Sequence, residues 1–83
     1  MDFLKSENKI YLEDENGKII AEIDFEKLED NKYNIYHTFV DDSLRGRGIA
    51  SKLVEAAVKE IKSRNGIVEA TCSYAKSRLK MNK

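Results

Sequence analysis

Arg45-Gly46-Arg47-Gly48 alternates cations with bare backbone, and the surrounding stretch SLRGRGIASK (43–52) contains no acid. The chemistry open to such a stretch is the holding of a phosphate. A helix start leaves four backbone N–H groups without intrahelical partners, and the aligned peptide dipoles add partial positive charge there. Glycine at 46 and 48 removes Cβ atoms that would keep an anion from those amides, and Arg45 and Arg47 can add charge-assisted hydrogen bonds. The stretch reads as a pyrophosphate cradle or, more plainly, as a tight turn into a helix with two solvated arginines. Two further reactive groups occur once each: His37 is the sole histidine and Cys72 the sole cysteine. An imidazole exchanges protons near neutral pH, and a thiolate is a nucleophile. One thiol forms no internal disulfide, and one His with one Cys makes a zinc site implausible, so no metal is expected.

The elements that must position these groups follow from periodicity. NKIYLE (8–13) and GKIIAEIDF (17–25) form a hairpin, with Asn16-Gly17 supplying the pair that most readily takes the positive φ angles of a type I′ turn. Ile19, Ala21, Ile23 and Phe25 share one face of the second strand, and Ile20, Glu22 and Asp24 the other. KYNIYHTFV (32–40) alternates as well, which puts His37 with Tyr33, Ile35 and Phe39 on an apolar face. From Ile49 the apolar positions Ile49, Ala50, Leu53, Val54, Ala57, Val58 and Ile61 describe a one-sided helix. Asn65-Gly66 ends it, with glycine expected in the left-handed conformation. IVEATC (67–72) reads as a strand and SYAKSRLKMN as a final helical turn or two. The order is β-β-β-α-β-α.

Composition narrows the function classes. Eighty-three residues with 41% apolar content and no proline suit a single domain, 1–83, with one core and one site, expected to be a monomer. Fifteen Lys and Arg balance fifteen Asp and Glu, so the field that would draw in nucleic acid or an anionic membrane is missing. No leader pattern and no stretch of roughly 20 apolar residues is present, which reads as a soluble, cytoplasmic chain. Ser51 stands where a dinucleotide fold needs its third glycine, and the P-loop pattern GxxxxGK[ST] is absent.

A strand, then Asp41-Asp42, Arg45-x-x-Gly48-x-Ala50 and an amphipathic helix followed by another strand, resembles the acetyl-CoA-binding motif of the GCN5-related N-acetyltransferases (GNAT). With His37 before the motif, LRGRGIASKLVEAAV, and Cys72-Ser73-Tyr74 after the next strand, the likeness extends to a minimal branch of that family over about residues 9–80. Two departures are visible: the chain ends RLKMNK, without an aromatic and proline-containing tail, and it lacks the extra helices that help form an acceptor pocket in larger members.

The resemblance implies a GNAT-like α+β fold, a mainly antiparallel twisted sheet with one long amphipathic helix packed on it. It implies an acetyl-CoA-dependent N-acetyltransferase acting on an unidentified amine or, alternatively, a coenzyme A-binding module without efficient chemistry. Residue by residue, the amides of Arg45, Gly46, Arg47, Gly48, Ile49 and Ala50 would hold the pyrophosphate. Thr38, Phe39 and Val40 would offer backbone to pantetheine, and Cys72 to Lys76, including Ser73 and Tyr74, would line the other side. Lys76 and Arg78 would meet the adenosine phosphates or stay solvated. For acetyl transfer His37 is the candidate base, the bland alternative being a histidine packed between Ile35 and Phe39. Cys72 is an acetyl-enzyme nucleophile, part of the thioester-binding surface or a small buried residue, and nothing in Thr71-Cys72-Ser73 is plainly electropositive. Tyr74 is a proton donor or a packing aromatic.

Overall fold

The computed structural model describes residues 3–81. Its five strands run in spatial order β1 (Leu4–Lys5), β2 (Lys9–Glu13), β3 (Ile19–Lys27), β4 (Lys32–Val40) and β5 (Ile67–Ala70). The first four pair antiparallel, and β5 lies parallel to β4. A parallel neighbour needs a crossover, and helix α1 (Ile49–Ser63) supplies it; α2 (Ser73–Met81) follows β5. The strand Leu4–Lys5 has no counterpart in the sequence reading, and β5 stops at Ala70 rather than Cys72.

Ile10, Ala21, Ile23, Phe25 and Ile35 of the sheet pack against Ile49, Leu53, Val54, Ala57 and Ile61 of α1 in one buried core, which Ala75 of α2 joins. The spacing in α1 is that of a single apolar stripe. Register places Lys9, Tyr11, Glu22, Asp24, His37 and Phe39 together on the other face of the sheet.

Two turns differ from expectation. The β2–β3 hairpin closes with a three-residue loop: the Asp14 amide donates to Lys18 O, the Gly17 amide donates to Asp14 O, and Gly17 alone takes a positive φ, 82°. That is a type I turn followed by a left-handed residue, not type I′. It wins because the Asp14 carboxylate accepts from the Asn16 and Lys18 amides at 2.8 and 2.9 Å, holding the longer loop. At the end of α1 it is Asn65, φ 59°, that turns left-handed. The Gly66 amide donates to Ile61 O and the Asn65 amide to Lys62 O, the paired bonds of a Schellman motif. Gly66 is needed for another reason: a Cβ there would lie 2.5 Å from Tyr33 Cδ1 and 2.7 Å from Ile61 Cγ2. Both neighbours are buried and cannot swing aside. Gly66→Ala is therefore expected to lower stability by about 1–3 kcal/mol, the usual range for overpacking, measured by urea unfolding. An unchanged midpoint would contradict this packing.

A third difference bears on function. Asp24 pairs with His37 and Phe25 with Ile35, so Tyr36 is an extra residue in β4. This bulge reverses the alternation beyond it. Tyr33 and Ile35 face the core, whereas His37 is exposed and lies on the opposite face with Asp24. The expectation that His37 shares the apolar face is thus corrected, and with it the alternative of a histidine packed between Ile35 and Phe39.

Candidate active site

Beyond Ile35 the sheet opens. The last β4–β5 pair is Ile35 with Ala70, and the amides of Thr71 and Cys72 both donate to Ile35 O, at 3.0 and 3.2 Å. Strand β4 continues to Val40 without a β5 partner in the ladder. The chain then makes a short helical turn over Asp42–Leu44, held by the Asp41 carboxylate, which accepts from the Ser43 amide and hydroxyl at 3.0 and 2.7 Å. Those two bonds, the hydroxyl first, hold the Asp41 carboxyl below its usual value.

Gly46 and Gly48 both take positive φ, 82° and 69°. Gly48 is the N-cap of α1, and neither a capping side chain nor an acid in the first turn serves that helix start. A Cβ at either glycine would meet nothing within 4 Å. The Arg45 amide, expected to hold the pyrophosphate, already donates to Asp42 O at 3.2 Å, but this helix start borders a cleft of about 190 Å³. Of the expected binding residues, Val40, Arg45, Gly46, Gly48, Ile49 and Ala50 line it, and Tyr74 of α2 closes its other side. Leu44 and Ser51 also line it; they flank the motif directly, and that adjacency was the only signal for them. Arg78 Nη2 donates to Ser51 Oγ at 2.7 Å, tying α2 to the start of α1. Arg47, Ser73 and Lys76 are exposed, and Phe39 stands on the far face, exposed. The Arg45 guanidinium contacts Asp42 at 2.9 Å with both side chains in water. A larger open cleft, about 440 Å³, lies between Leu28, Glu29, Asp30, Lys32 and Glu69 and holds none of the candidate groups.

Cys72 is half-buried where the strands part, its Sγ 3.4 Å from Thr38 Oγ1. It is also the residue before α2, and its carbonyl accepts the first helical bond, from the Lys76 amide. Burial raises the thiol's pKa, but the Ala75 amide, the Thr38 hydroxyl and the Tyr74 amide outweigh it and bring the thiol below its usual value. Judging Cys72 by neighbouring side chains missed this, because the positive groups are backbone amides of a helix start. His37 and Cys72 are not brought into contact: Thr38, the partner of Cys72, faces the core side with Ile23, and His37 faces the other.

Behind His37 lie three charged groups. Lys9 Nζ stands 3.2 Å from Glu22 and 3.9 Å from Asp24 Oδ1. Burial, then the neighbouring Glu22, pushes the Asp24 carboxyl up to about 6, and Glu22 itself is held low by Asp24 and Lys9 despite its burial. Among the described residues no cluster of three or more potential ligands could hold a metal ion, and no helix is long and apolar enough to cross a membrane.

Residues 9–83 match the profile of a family described as GCN5-related N-acetyl-transferase. A candidate GCN5-like N-acetyltransferase from Staphylococcus aureus, solved by NMR, shares 36% identity over 98% of this chain and 79% of its own, with a TM-score of 0.79. An aminoglycoside 6'-N-acetyltransferase complexed with coenzyme A superposes at 0.62 over 78% of this chain and 38% of its own, at 22% identity. A ribosomal-protein-alanine N-acetyltransferase from Brucella melitensis biovar Abortus 2308 gives 0.59 over 75% and 52%, at 18% identity. At those identities the last two speak to the fold alone. No curated protein matches the sequence. The mixed sheet that parts beyond Ile35, the glycine cap of α1 and the profile over nearly the whole chain agree: the protein belongs to the GCN5-related N-acetyltransferase family.

Proposed function

We propose that this member of an acyltransferase family is an acetyl-CoA-dependent N-acetyltransferase, a single cytoplasmic domain over residues 1–83 that acetylates an amine. The observation that carries the reading is the meeting of two backbone surfaces at one cleft, a helix start without a side-chain cap and a strand without a ladder neighbour. The uncapped start of α1 offers amides and the glycine path to a diphosphate, while β4 beyond Ile35 offers strand edge to the two amides of pantetheine. Arg45 can swing from its exposed pairing with Asp42 to a phosphate oxygen, since such a surface pair is worth little.

Transfer requires the acceptor ammonium to lose a proton, and the His37 imidazole receives it. The freed lone pair then forms the N–C bond at the thioester carbonyl. The C–S bond breaks with its electron pair passing to sulfur, and the remaining excess proton on nitrogen leaves as the thiolate is protonated. In this reading Tyr74, which lines the cleft, delivers that proton. His37→Ala is expected to leave acetyl-CoA affinity unchanged in isothermal titration and to slow transfer by about 10²–10⁴-fold, the range for a lost general base. Equal turnover by variant and parent would remove His37 from the chemistry.

The lowered Cys72 thiol favours a second route. Its Sγ would attack the carbonyl, expel coenzyme A and pass the acetyl group to the amine afterwards. Mass spectrometry of protein mixed with acetyl-CoA is expected to find acetyl on Cys72 in this case. An unmodified Cys72 with intact amine acetylation would leave only the direct route.

A further inference from the structure

Acetyl transfer alone does not account for the carboxylates behind His37. Asp24 is only 8% exposed, and its Oδ1 is buried without a hydrogen-bond partner. Aspartate is rarely buried unless paired. The nearest cation, Lys9, stands 3.9 Å away, beyond hydrogen-bond reach, and sits closer to Glu22 at 3.2 Å. Asp24 and Glu22 cannot satisfy one another while both are ionised, because a bond between two carboxyls needs a shared proton. Two carboxylates therefore divide one ammonium. Directly across the strand pairing from Asp24 is His37, and across from Glu22 is Phe39. Phe39 and the bulged Tyr36 leave aromatic surface exposed, at 39% and 48%.

We propose that this face of the β3–β4 pair is a subsite for a cationic amine, its ammonium held by Asp24 and Glu22 beside the His37 imidazole. The inference rests on the acetyl-transfer reading of His37 and names the class of acceptor: a protonated primary amine bearing an apolar or aromatic arm, rather than an alcohol or an anionic amino acid. An ammonium brings three donors and a charge. A donor meets the part of the Asp24 side chain that stays accessible, 12%, and the charge relieves the crowding of two acids. The aromatic rings of Tyr36 and Phe39 suit both the cation and its arm. The groups facing Asp24 are Lys9 from β2, Glu22 from β3 and His37 from β4. The upward displacement of the Asp24 carboxyl fits an acid short of a counter-ion, which a bound cation would reverse. Acetylation also releases the product, since the amide carries no charge for the two carboxylates to hold.

The test uses the full chain and NMR amide shifts at neutral pH, with phenethylammonium chloride as the probe, 2-phenylethanol as its uncharged analogue, and acetyl-CoA titrated separately. Phenethylammonium is expected to shift the Asp24 and His37 amides saturably, and the alcohol to leave them in place. Asp24→Asn, which preserves shape, and Glu22→Gln should each weaken amine binding by about tenfold or more, with acetyl-CoA still moving the amides of residues 45–50. Equal shifts from amine and alcohol, or full amine affinity in Asp24→Asn, would overturn the subsite. No amine response while acetyl-CoA binds overturns the subsite and spares the acetyl-transfer reading. No response to acetyl-CoA overturns that reading, and the subsite's role as acceptor site falls with it.

Discussion

Gly48→Val is expected to weaken acetyl-CoA binding in isothermal titration by about a hundredfold or more. Two effects combine. Residue 48 holds φ 69° and ψ 21°, a left-handed conformation that costs an L residue about 1–2 kcal/mol and a β-branched one more. The added Cβ would also enter space where no residue beyond its chain neighbours comes within 4 Å, so its steric burden falls on whatever occupies the cleft. Losing several amide contacts to a diphosphate adds more than the strain alone, since each 1.4 kcal/mol is tenfold in affinity. Gly17→Val separates the two causes. Gly17 has φ 82° and equally open surroundings, but it sits in the β2–β3 turn, so that variant should suffer the strain and bind acetyl-CoA normally. Parent-like binding by Gly48→Val would dispose of the cradle.

The second large effect is a gain. Asp24→Asn should stabilise the protein near pH 7.5 by about 1–3 kcal/mol, which for a domain of this size raises Tm by roughly 5–15 °C. The folded carboxyl titrates at about 6 against an ordinary value of 3.8. Between those values the folded chain binds a proton that the unfolded chain has released, so stability falls as pH rises through the window. Above about 6 the whole penalty is present. Two pH units correspond to about 3 kcal/mol, and the opposite shifts of Glu22 and Lys9 reduce the net effect. The replacing amide can donate to Glu22 as a protonated carboxyl would, without the charge. The gain should shrink toward pH 4.5, where Asp24 in the parent is already protonated. Thermal melts at the two pH values decide the matter: no gain at pH 7.5, or a gain that persists undiminished at acid pH, would contradict a destabilised Asp24 carboxylate. Stability surrendered at a functional position is a familiar pattern.

Much of this was readable in the residues. The helix from Ile49, the β-β-β-α-β-α succession from β2 onward and the motif between β4 and α1 rest on periodicity and glycine spacing, which are local signals; the strand Leu4–Lys5 and the parallel pairing of β5 with β4 were not legible there. What escaped was decided by a partner. KYNIYHTFV alternates smoothly in the sequence, and only its pairing with β3 reveals that Tyr36 bulges and turns His37 to the opposite face. Asn65-Gly66 announces a helix stop in either arrangement, and only the fold shows that Asn65 turns left-handed while Gly66 makes room for Tyr33. Thr71-Cys72-Ser73 has no cationic side chain to attract notice, yet the amides of α2 acidify the thiol. Asp24 looked like an ordinary solvent-side position on β3, because nothing in the chain states that Lys9, Glu22 and His37 converge there.

The sheet has unequal margins. Its outermost strands are stubs of two and four residues, too brief for another molecule to zip against. The stretch of β4 after Ile35 is the longer seam, a row of strand backbone without a ladder partner on the β5 side. An extended ligand lying along it would act as a selvedge, closing the margin that the described strands leave open.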